Sequence, residues 1–374
     1  MKWDAPAPGE REAGERSWDV VRAAWSQRER NARRRTVRRW PVVAIAAAVA
    51  IAAAAVSPAG KAVLRSIRDA VATSNDRVLS LPARGSVLLN TPAGAWVVHD
   101  DGSKRLLTGY ADAAWSPHGL YVAAARGNDL VALEPNGRVH WKLAKAEPIG
   151  SPQWSYEGYR IAYLAGHALR IVNGDGTGDH LLSPNAVGAG LPAFAWRPGT
   201  HELAYKNARN EVLLADVDRS RILWRRKTTG VERLDWSDDG RRLFIDGGPT
   251  PVVVDARGIT FARIPEARGV DAAAFVPHSE ALTVATTTRG RSAVLLFTGS
   301  AYQVRRQLFS GIGVFAGLAW APNGRWLLVD WASADQWVLV RIAPTPRVRT
   351  ISNIDATFGT GPEHSGALAG WCCG

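Results

Sequence analysis

Sulfur is nearly absent from this sequence: its 374 residues hold two cysteines and one methionine. Two cysteines exclude a disulfide-dense scaffold and are too few for an all-cysteine zinc site. Acidic charge is also short, with 34 Asp and Glu against 46 Lys and Arg, a formal net charge of +12. Such a surplus points to nucleic acid or an anionic membrane surface, but a sum does not say where the charge lies. Charged residues make up only 21% and apolar residues 46%, which excludes a largely disordered chain. Catalytic signatures are missing as well. There is no HExxH zinc helix, no GxSxG nucleophile elbow, no P-loop and no GxGxxG dinucleotide fingerprint. The eight histidines are scattered, and no carboxylate pair stands out for glycoside hydrolysis.

What is abundant sits first at the N-terminus. Residues 1–40 carry eleven Lys or Arg and six Asp or Glu, a net of +5. Much of this is the block Arg33, Arg34, Arg35, Arg38 and Arg39, followed by Trp40. Residues 40–57 then contain no charge, and as a helix their eighteen residues span about 27 Å. That is close to the minimum for a bilayer core. The flanking arginines and Trp40 favour an uncleaved signal-anchor over a buried soluble helix or a cleaved signal peptide. The positive-inside rule then places residues 1–39 in the cytoplasm and the rest outside. Ser17 can cap a helix in which Trp18, Val21, Ala24 and Trp25 share one face, suited to anionic lipid or a cytoplasmic partner. The expected layout is a basic segment (1–39), a transmembrane helix (40–57), a linker (58–80) and a β domain (81–374). The remaining +7 is spread over more than three hundred residues and marks no evident groove.

Tryptophan is the other excess, at 16 residues, and it is periodic. Trp115 opens WSPHGLYVAAA, Trp154 opens WSYEGYRIAYL and Trp196 opens WRPGTHELAYK. Trp236 opens WSDDGRRLFID, Phe275 the degenerate FVPHSEALTVA, and Trp320 WAPNGRWLLVD. The spacings are 39, 42, 40, 39 and 45 residues, the period of a propeller blade. The aromatic should end an inner strand. A tight turn should follow, with Gly119, Gly158, Gly240 or Gly324 supplying a permissive φ. The strand after it is apolar because neighbouring blades cover both faces. Residues 86–107 read as three strands with no aromatic-ended partner, and Trp371 ends an apolar stretch at the C-terminus. Joining the two gives seven blades; six is the alternative. His118 and His278 fall in equivalent turns and read as turn residues. The loop from Asn173 to Asp179 alternates oxygens with glycines but lacks the rest of an EF-hand, so it reads as a hairpin turn. The adjacent Cys372 and Cys373 can form a vicinal disulfide in an oxidising space.

The repeat, clearest at Trp115–Ser116–Pro117–His118–Gly119 and Trp320–Ala321–Pro322–Asn323–Gly324, resembles the WD40-like propeller repeat of the bacterial TolB type. The likeness covers roughly residues 84–371. It implies an all-β propeller acting in the cell envelope as an interaction module, and it implies no particular ligand. Three functions follow as expectations. The first is a membrane-anchored module that binds a protein or envelope polymer. The second is a hydrolase or lyase with a site in the axial funnel. The third is a transmembrane regulator whose output lies in residues 1–39. Membrane lipid is the expected contact of the anchor. No metal, cofactor or nucleic acid is expected.

Overall fold

A computed structural model describes residues 79–186, 193–343, 347–360 and 366–373. The basic segment, with Arg33, Arg34, Arg35, Arg38, Arg39 and Trp40, and the expected span over residues 40–57 lie outside them. Among the described residues, no helix is long and apolar enough to cross a membrane.

The strands form seven four-stranded antiparallel sheets, so the seven-bladed propeller holds and the six-bladed alternative does not. Blades 2 to 7 are continuous in sequence: residues 111–144, 149–183, 194–227, 233–263, 270–312 and 317–352. Blade 1 is composite. The C-terminal strand Ala367–Cys372 is its inner strand and pairs with Ser86–Thr91; Gly94–His99 and Lys104–Thr108 complete the sheet. The first and last strands described therefore meet in one sheet, which closes the ring and removes an open edge.

The repeat is a hairpin with fixed register. Trp115 faces Val122, Trp154 faces Ile161, Trp196 faces Leu203, Trp236 faces Leu243, Phe275 faces Leu282 and Trp320 faces Leu327. Each pair is seven residues apart, and Trp371 faces Val87 in the closing blade. In the Trp-Ser-x-x-Gly copies the serine hydroxyl is buried and accepts the amide five residues on: Tyr121 at 3.0 Å, Arg160 at 3.1 Å and Arg242 at 2.9 Å. This explains a serine beside the tryptophan. Gly119, Gly158, Gly240 and Gly324 take φ values of +63° to +78°, the left-handed region that favours glycine. Two copies differ. In blade 4 the left-handed residue is Gly199, and in blade 6 it is His278 at φ +59°. Both sit one position early, which changes the turn but not the register.

The core is not one mass. Seven apolar clusters lie one at each blade interface. Strand alternation explains why the second strands are apolar throughout. Val122 and Ala124 pack toward blade 1, while Ala123 and Ala125 pack toward blade 3. Leu327 and Val329 pack toward blade 6, while Leu328 packs toward blade 1. The tryptophans stand in these seams. Trp196, Trp236, Trp320 and Trp371 are buried, and Trp115 and Trp154 are half-buried. Two reach across a seam: the Trp196 indole N–H donates to the Gln153 carbonyl and that of Trp320 to Thr283 Oγ1, each at 3.0 Å.

Candidate functional site

Antiparallel blades give the ring two unlike faces. The aromatic–glycine turns and the turns between third and fourth strands open on one, the turn face. Loops between second and third strands, and the linkers between blades, open on the other. The chain enters on the turn face. Leu81 N–H donates to the Asp100 carbonyl at 2.9 Å, in a third-to-fourth-strand turn, and Gly85 abuts the backbone of Cys372.

On the opposite face, two adjoining clefts flank the loop Gly247 to Thr250 of blade 5. The larger, about 530 Å³, lies between blades 4 and 5. Its charged lining is Arg209, Arg226, Lys227 and Arg263, with Asn210, Thr228, Thr229 and Thr250 as neutral polar partners and no carboxylate. The smaller, about 290 Å³, lies between blades 5 and 6 and is lined by Asp246, Arg268 and the same glycine–proline loop. Local backbone chemistry makes the floor. A side chain at Gly247 would lie 3.1 Å from Val231 Cα and 3.2 Å from the Thr229 carbonyl. Glycine lets the loop lie close on the blade 4–5 linker, and a larger residue would have to push the linker back by a few tenths of an ångström. Beneath that linker, Lys206 is buried and its ammonium donates to the Val231 carbonyl at 3.1 Å.

Electrostatics at the two clefts differ. Among the described residues, Arg209, Arg226, Lys227 and Arg263 enter no ion pair. Arg226 donates to neutral acceptors, the Gly258 carbonyl and Thr260 Oγ1. Arg209, Lys227 and Arg263 are exposed. In the smaller cleft, Asp246 is held by Arg233 at 3.2 Å, yet burial and Glu232 push its carboxyl up to about 6.

The inner strands carry acids: the carboxylates of Asp112 and Asp235 join neighbouring blades, and that of Asp271 bonds within its own blade. Asp112 accepts the Ser151 amide at 3.3 Å. Asp235 accepts the Phe275 amide at 3.1 Å, and burial pushes it up to about 7. Asp271 accepts the Thr287 hydroxyl at 2.5 Å, and the Arg233 guanidinium donates to its carbonyl at 2.7 Å. Such contacts fix blade against blade. Among the described residues, no group of three or more His, Cys, Asp or Glu is placed to hold a metal ion.

The residues singled out from sequence fall mainly on the turn face. His118 and His278 are exposed turn residues, and His278 N–H donates to Asp238 at 2.8 Å. Cys372 and Cys373 are bonded to each other and lie against blade 2, where a Cβ on Gly119 would be 2.8 Å from Cys373 Sγ. The loop from Asn173 to Asp179 is a hairpin turn. Thr177 donates backbone N–H and hydroxyl to Asp175, while Asp179 binds Lys145, Arg170 and Tyr163. Burial pushes Asp179 up, but those hydrogen bonds outweigh it and hold the carboxyl at about 2.

The basic cleft was not legible in the sequence. Its side chains come from a loop at 209, a strand end at 226–227 and another strand end at 263, and only blade packing brings them together. A partial signal was the Arg225–Arg226–Lys227 run just before a linker.

No protein-family model matches the chain, and neither does any curated protein. Among solved structures, a chain of the "Crystal Structure of Mitotic Checkpoint Complex" is similar at a TM-score of 0.54 and 17% identity. The likeness covers 68% of this chain and 88% of that one. At that identity it shows the fold alone: this chain is a seven-bladed β-propeller.

Proposed function

We propose that the chain is a membrane-tethered recognition module whose propeller stands outside the cytoplasm and binds a protein or envelope polymer through the cleft face. The observation that carries this reading is the placement of both clefts on the face opposite to the chain's entry at Leu79. The first described residues join the ring on the turn face, and both clefts open on the other. The sequence supports the tether: the arginine block and Trp40 precede an uncharged stretch over residues 40–57. The resemblance to TolB-type repeats supports the envelope setting.

Cysteine labelling in intact cells tests it. Thr250→Cys and Ser17→Cys are placed singly in a chain whose Cys372 and Cys373 are serine. A membrane-impermeant maleimide should label Thr250→Cys in intact cells and Ser17→Cys only after permeabilisation. The reverse pattern, or recovery of the chain in the soluble fraction, overturns the reading.

A further inference from the structure

We propose that the larger cleft, between blades 4 and 5, is a subsite for a phosphoryl group. This inference names the chemistry of the ligand and rests on the cleft face being the binding face. Four features carry it. The charged lining is entirely basic: Arg209, Arg226, Lys227 and Arg263. None of these is neutralised by an ion pair among the described residues. The neutral lining adds hydroxyl and amide donors from Thr228, Thr229, Thr250 and Asn210. The volume of about 530 Å³ admits an anion with its carrier, not a bare ion alone.

A donor-rich concave site selects an acceptor-rich ligand. A phosphoryl group offers three oxygens without a competing donor and matches the guanidinium fork. A carboxylate offers two. A positive cleft without a lining carboxylate also raises the local concentration of anions and speeds their arrival. The phosphoryl group is assigned to a soluble ligand or a polymer, which the tripolyphosphate probe below represents.

The test is calorimetric titration of the full chain in a non-ionic detergent with sodium tripolyphosphate, with citrate as a carboxylate probe of comparable charge. Tripolyphosphate should bind at one site, at least tenfold tighter than citrate, and weaken as salt rises. Combining Lys227→Glu with Arg263→Glu should weaken binding at least tenfold, and the milder Lys227→Gln a few-fold. Arg84→Glu, a charge reversal on the turn face, should leave it within twofold, as should replacing Arg33, Arg34 and Arg35 with serine. Equal binding of citrate overturns the phosphoryl assignment. Loss of binding in the Arg84 variant or the arginine-block variant places the anion elsewhere and overturns the site. A photocrosslinker at Thr250 separates the two readings in cells. Adducts there without tripolyphosphate binding refute the ligand chemistry and leave the binding face standing. Neither adducts nor binding refutes both.

Discussion

Single residues in this ring are decided by what faces them across a seam. Asp330 is 4% exposed, and burial together with Asp355 and Asp335 pushes its carboxyl from an ordinary 3.8 up to about 7. Its unfolded form loses the proton near pH 4 and the folded form near pH 7. Between those values the folded state holds the extra proton, so stability falls as pH rises through that window and is flat above it. Asp330→Asn should therefore raise the melting temperature at pH 8 by roughly 3 °C or more, with little change at pH 4.5, read by circular dichroism. Glycines divide the same way. Gly290 has φ +74° and nothing within 4 Å of a new Cβ, so Gly290→Ala should cost only about 1 kcal/mol in denaturant titrations. Gly240→Ala meets the Pro198 carbonyl at 2.7 Å as well as φ +65° and should cost at least twice as much.

At the scale of elements, the hairpin that begins at each aromatic was legible from sequence because everything that specifies it is local. The aromatic, the turn and the first apolar residue of the next strand lie within eight positions, and all six copies keep one register. Closure was legible too, since Trp371 repeats the aromatic that blade 1 lacks. The serine-to-amide bonds and the shifted left-handed residues at Gly199 and His278 were not, because several backbone paths satisfy one register. The closing strand carries a direct prediction. Deleting residues 367–374 bares Val87, Leu88 and Leu89 and removes Trp371 from the blade 7–1 seam. The melting temperature should fall by roughly 10 °C or more. An unchanged value would mean that the composite blade does not hold the ring shut.

At the scale of the molecule, the charge that first suggested nucleic acid divides into two parts with different roles. Five units of the +12 lie in residues 1–40, beside the uncharged stretch. The other part looked diffuse along the chain, yet folding gathers Arg209, Arg226, Lys227 and Arg263 into one cleft without a carboxylate. Their segments lie up to 54 positions apart, which is why a sequence reading misses them. The ring is proposed to bind through its cleft face, opposite to the face on which residues 79–86 join it. The most direct measurement is photocrosslinking in intact cells from single positions, Thr250 on the cleft face and Arg84 on the turn face. Thr250 should give a discrete adduct that Lys227→Glu diminishes, and Arg84 none of that size. A discrete adduct from Arg84 alone would contradict the proposal.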